Sequence, residues 1–555
     1  MNTIRKYFIL LFLGFLIPGC GDDYLALENK NSLNLSSFYK TKNDAWMALN
    51  TCYNGLAFGG MFGNNYFFLF NSFDDRILFE STGMDNFNIT TGSGQVKSMF
   101  QALYVGVWRT SSLMANLRTK EIPDLTSAEE EQYVAQAKAL RAMYYFYLVV
   151  LFNEPYFYDD YTMPEDYNIG YGNSDPALFW NKIRADLEDA LAVLPEKYTG
   201  DDVGRITAGA AESLLGKAML FKHYYYYMKK GLGGSAEDLA DLRLGKTHLN
   251  NVIQSGTYKL IQPLAPYTKR DYINAYQCNF SYIPLPSSSS AFYPAENNEE
   301  AIWEIQYCDE RIQGGWLPGW QWTGALNEQY FSAHESSYRN HEINPSLFQQ
   351  FETTGTPAGF DRDPRAYGTC YLDGDTMDFR TGFYYNKPFK SGVNNKAIAK
   401  GRNMTYAGQP SVGFGLKKYS YPVYNEKDAP KNDPYDIRVI RFSDVKLMYA
   451  ELTFLLDEDT DLGLVQLNDV RARVGMAPVA ALTRAAIIHE RDVELATEGH
   501  RFLDLVRWSF DPAWNINWYE LLGNSSFIKN KNEYLPFPID EININNGVLK
   551  QNPGW

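Results

Sequence analysis

Residues 127–152 read SAEEEQYVAQAKALRAMYYFYLVVLF. Within them Ala137, Leu140, Tyr144, Leu148 and Leu151 recur at steps of three and four, the spacing that puts side chains on one face of a helix. Thr126 or Ser127 stands where a helix N-cap belongs, and Glu129 to Glu131 fall in the first turn, where carboxylates meet the positive end of the helix dipole. Segment 206–230 repeats the pattern, with Thr207 as the cap and Ala208, Ala211, Leu215 and Ala218 along one face. Segments 43–57, 96–118, 178–194, 438–456, 463–474 and 483–498 read as helices as well. Their lengths suit the helix pairs of a solenoid, yet no repeat of about 34 residues is visible in the sequence itself.

From 262 to 435 the chain changes character. It becomes rich in Gly, Pro, Ser, Asn and Tyr, as in Pro284-Leu285-Pro286-Ser287 and Gly413-Phe414-Gly415. Long loops in a compact protein are often functional. The organisation expected is a mainly α scaffold in two parts, 20–261 and 436–555, with a loop-rich, aromatic-rich lobe and minor β-hairpins at 262–435. All of 20–555 is read as one domain.

The chain has 555 residues, 51 Lys and Arg against 66 Asp and Glu, and 15% aromatic residues with 41 Tyr and 11 Trp. The length is ample for a large core, and the acidic balance disfavours nucleic acid as a partner. Extra Tyr and Trp serve a core, but they are also what stacking surfaces are made of.

Residues 1–19 read as a targeting segment to be set apart from the fold. Arg5 and Lys6 precede an apolar run from Tyr7 to Ile17, too short for a bilayer, which needs about 20 residues. Ile17-Pro18-Gly19-Cys20 follows and resembles a bacterial lipobox, so Cys20 is expected to be acylated. Gly21-Asp22-Asp23 resembles the surface-export signal of Bacteroidetes lipoproteins. The mature chain would then carry 49 basic and 66 acidic residues, a net −17. Cys52, Cys278, Cys308 and Cys370 remain, widely spaced. They make no metal or redox motif; one disulfide is open to them, with partners unspecified.

A dozen segments, in order along the chain, resemble the SusD/RagB family of outer-membrane nutrient-binding lipoproteins. Cys20-Gly21-Asp22-Asp23-Tyr24-Leu25, Ser37-Phe38-Tyr39 and Asp44-Ala45 look like its opening. Tyr104 with Ala115-Asn116, then Ala137 to Phe146, look like two of its helices, and Arg205 to Ala211 the start of a third. Ile253 to Tyr258 and Asn298-Glu299-Glu300 follow. The C-terminal part matches most strongly, with Arg362-Asp363-Pro364-Arg365, Lys418-Tyr419, Arg441-Phe442, Leu447 to Glu451 and Val470 to Gly475. Glu490-Arg491, then Glu498-Gly499-His500-Arg501-Phe502-Leu503-Asp504-Leu505-Val506-Arg507-Trp508, Leu535 to Pro538 and Gln551 to Trp555 complete it. The resemblance implies a right-handed scaffold of tetratricopeptide-like helix pairs. It also implies capture of glycans, or in some members peptides, on behalf of a SusC-like TonB-dependent transporter. Arg501, Asp504, Arg507 and Glu490 are expected to be buried ion pairs, and Asn552-Pro553-Gly554 a turn pinning the C-terminus.

No HExxH, GxSxG, P-loop or GxGxxG is present. His489-Glu490 lacks a second histidine at zinc-site spacing, and His334 and His341 are seven apart. Asp74-Asp75 and Asp361/Asp363 are the nearest carboxylate pairs for glycoside hydrolysis, with turn, capping, surface or calcium-binding roles as alternatives. No cofactor is called for, with room left for structural calcium. A secreted polysaccharide hydrolase is the competing function class.

The sharpest ligand candidates are Trp316, Trp320 and Trp322, three tryptophans within seven residues among four glycines and a proline. Glycine and proline favour an exposed turn, where a large ring needs a reason to be. Pyranose C–H faces stack on such rings; covering one face removes about 80 Å², roughly 2 kcal/mol per ring. Tyr330 follows the cluster. By position, the resemblance adds the loop before the Tyr104 helix, with Tyr66, Asn86, Phe87 and Asn88.

Overall fold

The computed structural model describes residues 38–79, 87–158, 170–264, 267–280, 296–307, 341–371, 405–406, 409–410, 414–419, 435–522 and 527–555. Its first helices are α1 (Lys42–Ala57), α2 (Asn65–Ser72), α3 (Gly94–Thr119), α4 (Ser127–Phe152), α5 (Pro176–Leu191), α6 (Ala208–Lys222) and α7 (Ala236–Gln254). Strand β1 (Ile77–Phe79) lies between α2 and α3. After α8 (Lys269–Gln277) come β2 (Ala301–Ile305), β3 (His341–Ile343), α9 (Pro345–Gln350) and α10 (Arg365–Thr369). Short strands β4 (Cys370–Tyr371), β5 (Thr405–Tyr406), β6 (Gln409–Pro410), β7 (Gly415–Leu416) and β8 (Ile437–Arg441) follow. The chain closes with α11 (Phe442–Leu456), α12 (Thr460–Arg473), α13 (Arg484–Glu494), α14 (Arg501–Ser509), α15 (Trp518–Leu522) and α16 (Ile539–Ile544).

The mainly α expectation holds. Helices α1 and α3, α4 and α5, α6 and α7, and α11 and α12 pack as pairs, joined in series by α3 on α4, α5 on α6 and α7 on α11. The caps act as the sequence predicts. Thr126 accepts from the Glu129 amide while Glu129 reaches back to the Thr126 amide, a reciprocal capping box. Thr207 caps α6.

Tyr144 shows why the A-x-x-L-R-A-x-Y-Y-F pattern matters. Its hydroxyl donates to the Cys52 carbonyl at 2.6 Å. Its ring lies so close to α1 and α3 that a Cβ on Gly106 would fall 2.2 Å from it, and one on Gly55 would fall 2.5 Å from its hydroxyl. Two glycines on neighbouring helices thus form the slot for one tyrosine of α4. The adjacent Arg141 is buried and bidentate to Asp186 of α5, at 2.7 and 2.8 Å.

Two boundaries differ from the sequence reading. Segment 438–456 begins as strand: Ile437, Val439 and Ile440 are β-branched and pair antiparallel with β2, so the helix starts only at Phe442. The helix expected over 483–498 ends at Glu494, and the chain turns through Thr497 (φ 66°) and Gly499 (φ 75°).

That turn completes a buried ionic network. Glu494 accepts from Arg441 (2.6 Å), Arg473 (2.5 Å) and Arg365 (3.0 Å). Glu300 accepts from Arg441 and Arg473, both at 3.1 Å. Glu498 binds Arg441 and Lys418, both at 2.7 Å. Glu490 joins Arg365 (2.5 Å) and Arg471 (3.0 Å). The next residues along α13 reach other partners. Arg491 pairs with Asp504 (2.7 Å) and Asp444 (2.8 Å), and Asp492 with Arg76 (2.8 Å). Arg507 bridges Asp504 (2.9 Å) and Glu451, and Arg501 holds Asp75 at 2.8 Å. Arg501, Asp504, Arg507 and Glu490 are therefore buried ion pairs, as expected. Burial alone would raise the Glu494 carboxyl; Arg473, Arg441 and Arg365 outweigh it and hold it well below its ordinary value.

The C-terminus is pinned as well. The Asn552 side-chain amide donates to the Phe152 and Leu535 carbonyls at 3.1 and 2.9 Å. No helix of the described residues is long and apolar enough to cross a membrane.

Candidate functional site

Strand β1 pairs antiparallel with β3, and Phe79 is the partner of His341. Phe79 is the last described residue before the 80–86 segment, and His341 the first after 308–340. One short ladder therefore brings together an end of each of the two segments singled out for ligand contact. The ladder has a firm base. His341 is buried, and its Nε2 lies 2.9 Å from Ser72 Oγ. The same Ser72 hydroxyl donates to the Phe68 carbonyl. Burial pushes the His341 imidazole down to about 3.

Trp316, Trp320, Trp322, Tyr330, Asn86 and Cys20 lie outside the described residues, as do Cys308 and His334. Asn88 is exposed. Two expected contacts are corrected. Tyr66 is 3% exposed; its ring packs on Gly499, where a Cβ would fall 2.6 Å away, and meets Phe62 tilted and Phe70 and Tyr147 edge-on. Phe87 is 6% exposed, stacked on Phe73 at 5.2 Å and beside Phe502 and Phe527. Both are apolar rings that the scaffold consumes, so neither can face a ligand.

The carboxylate pairs are scaffold too. Asp75 is held ionised by Arg501 and Arg76 against the cost of burial, while Asp74 is pushed well above its usual range by burial and by Asp75. Both are sealed from solvent. Asp363 is buried against Arg365 at 2.7 Å, and Asp361 accepts from the Tyr367 hydroxyl. Among the described residues no three His, Cys, Asp or Glu side chains come together as a metal site. Cys52, Cys278 and Cys370 are buried, and no disulfide joins any two of these three.

An open groove of about 290 Å³ lies where the 308–340 segment begins. Its walls are α1, the turn before α6, and β2. Tyr307, the last described residue there, donates its hydroxyl to the Ala57 carbonyl at 3.1 Å. Trp303 lies beneath, with Nε1 donating to the Gly204 carbonyl at 3.1 Å. Gly204 needs to be glycine: φ is +93°, and a Cβ would fall 2.2 Å from the Gln306 side chain. Trp46 projects from α1 into the opening, 41% exposed. Sequence reasoning missed it. The signal was present, because Ala45, Leu49, Cys52 and Leu56 form the core stripe of α1 and Trp46 is about 100° off Ala45.

Four helix pairs in series, with a short β1–β3 ladder beside them, define a mainly helical scaffold. Residues 299–555 match the model of the SusD family. Over 525 residues the chain is 21% identical to a SusD-like protein of Bacteroides ovatus, covering 91% of this chain and 82% of that one. Its structure is similar to that of a laminarin-binding SusD-like protein, with TM-score 0.68 and 24% identity over 93% of this chain and 100% of the other. It is also similar to surface glycan-binding protein A from Bacteroides thetaiotaomicron in complex with laminarihexaose, with TM-score 0.66 and 19% identity over 92% and 99% of the two chains. The C-terminal part of the chain, residues 299–555, thus resembles the SusD family, and the fold is that of SusD-like proteins.

The neutral, buried His341 gives the ladder a pH signature. Its folded pKa (about 3) lies below the unfolded value (about 6.5). As pH falls below about 6.5 the unfolded chain takes up a proton that the folded chain refuses, so stability drops by up to about 1.4 kcal/mol per pH unit. His341→Gln removes that share. Its urea-unfolding free energy should fall less steeply between pH 6 and pH 4 than wild type, and equal slopes would show that His341 titrates normally.

Proposed function

We propose that this protein is a cell-surface glycan-binding lipoprotein that captures an oligo- or polysaccharide and delivers it to a SusC-like TonB-dependent outer-membrane transporter. It binds and does not cleave. The observation that carries the reading is the β1–β3 ladder, which gathers ends of the 80–86 and 308–340 segments at one point. The laminarin-binding and laminarihexaose-bound relatives support a glycan as the ligand and make laminarin the first probe to try. The Trp316, Trp320 and Trp322 cluster supplies stacking rings. Two or three rings at roughly 2 kcal/mol each give modest single-site affinity, which suits a receptor that must release its ligand and gains from many contacts along one polymer.

Trp320→Ala and Trp322→Ala should each weaken binding of a glycan recognised by wild type by roughly 2 kcal/mol in calorimetry. Unchanged affinity in both, with folding intact, removes the cluster from the site. Release of reducing ends from the polysaccharide would favour the hydrolase reading instead.

Anchoring rests on Cys20 and the apolar run before it. A single acyl chain holds a protein only marginally, and several hold it firmly. Cys20→Ala should move the protein from the membrane fraction to the soluble one; a variant that stays membrane-bound contradicts the lipobox.

A further inference from the structure

The groove between α1 and β2 is built from chemistry that suits a neutral sugar. We infer that it is a second saccharide subsite, separate from the loop tryptophans, in which Trp46 stacks one pyranose ring while the Asn50 and Asn54 amides take its hydroxyls. The inference rests on the glycan-binding reading above.

Three observations carry it. First, Trp46 leaves 41% of its surface open in a helix whose apolar stripe is fully used elsewhere. An exposed indole beside a concavity is a platform in search of a flat apolar face. Second, the polar groups around it are held in place but not used up. Arg205 donates to Asn50 Oδ1 at 3.1 Å, to Gln136 at 3.3 Å and to Asp202 at 2.5 Å, with its guanidinium 5.8 Å from the Tyr53 ring. Tyr53 is itself fixed, donating to Gln136 at 2.7 Å and accepting from the Ile206 amide at 3.2 Å. This leaves the Asn50 Nδ2 and the Asn54 side-chain amide without a hydrogen-bond partner among the described residues, both lining the groove. Uncharged amides beside one aromatic ring match the alternating hydroxyl and C–H faces of a pyranose. An anionic ligand is disfavoured: Asp201 and Glu304 line the same groove, and the guanidinium of Arg205, which also lines it, is engaged by Asp202, Gln136 and Asn50. Third, the volume of about 290 Å³ sits at the small end of the range for small-ligand sites, about 300–1,000 Å³, which is room for one or two sugar units rather than a polymer.

The test is calorimetry with laminarin, and with a panel of plant, fungal and host polysaccharides, on wild type, Trp46→Ala, Trp46→Tyr and the Trp320→Ala/Trp322→Ala double variant. Melting temperature is checked for each. Trp46→Ala should bind the recognised polysaccharide about tenfold more weakly with melting unchanged, and Trp46→Tyr, which keeps a stacking face, should restore most of the loss. Soaked crystals should show a sugar ring over Trp46. Wild-type affinity in Trp46→Ala together with lost affinity in the loop double variant overturns the subsite and leaves the glycan-binding reading standing. Loss in Trp46→Ala that Trp46→Tyr does not recover also overturns it. A wild-type protein that binds no polysaccharide in the panel overturns both.

Discussion

Glu494 lies at the end of α13, fully buried, with three guanidinium groups around it. Each comes from a different element: Arg365 from α10, Arg441 from β8 and Arg473 from α12. Glu300, just before β2, closes the set by sharing Arg441 and Arg473. Several charges taken from water cost several kcal/mol each, and only dense, well-placed hydrogen bonds offset that cost. The dependence is therefore steep. With every partner present the cluster is close to balanced, and with one missing a bare charge remains in the core. Such a cluster specifies which helix ends meet which strands more sharply than apolar packing does. It ties the last helix pair to the strands from which the 308–340 segment departs.

The scaffold and the ligand surface make opposite demands on the same residue types. Tyr66, Phe87 and Tyr144 are aromatic and sit in tight slots, two of them shaped by glycines that no other residue could replace. Trp46 is aromatic and stands open. What separates them is the neighbour opposite. A ring facing Gly499 or Gly106 is enclosed, whereas Trp46, one step off the apolar stripe of α1, stands open at the groove. Carboxylates divide in the same way. Asp75 and Asp363 are engaged by the arginines beside them, Asp74 accepts from the Arg76 backbone amide, and all three are buried and closed to chemistry on a substrate.

Much of this was legible in the sequence. The three-and-four spacing over 127–152 and the caps at Thr126 and Thr207 predict helices that the structure places within a few residues. The E-G-H-R-F-L-D-L-V-R-W stretch predicts its own buried pairs, because charged residues inside an apolar helical pattern need partners. Less legible were the contacts between distant segments. Nothing near Phe79 says that it pairs with His341, since strands of three residues carry almost no periodic signal. Tyr66 misleads for the same reason. Its neighbourhood reads as a loop rich in Asn and aromatic residues, and only the approach of Gly499, more than 400 residues along, makes it core. The groove at Trp46 needs three segments at once and has no linear signature beyond the off-stripe position of that one residue.

The account's central claim is that Glu494 and its arginines act as one coupled unit. The most direct measurement is a double-mutant cycle between Arg473 and Glu494, using Arg473→Met, Glu494→Gln and the pair, with unfolding free energies from urea titration at pH 7. Each single variant leaves buried charge unpaired and should cost about 3–5 kcal/mol. The double variant should cost at least about 1 kcal/mol less than the sum of the two, within the range seen for residues sharing a network. Additivity to within about 0.3 kcal/mol would mean that the two side chains contribute independently, and would contradict the claim.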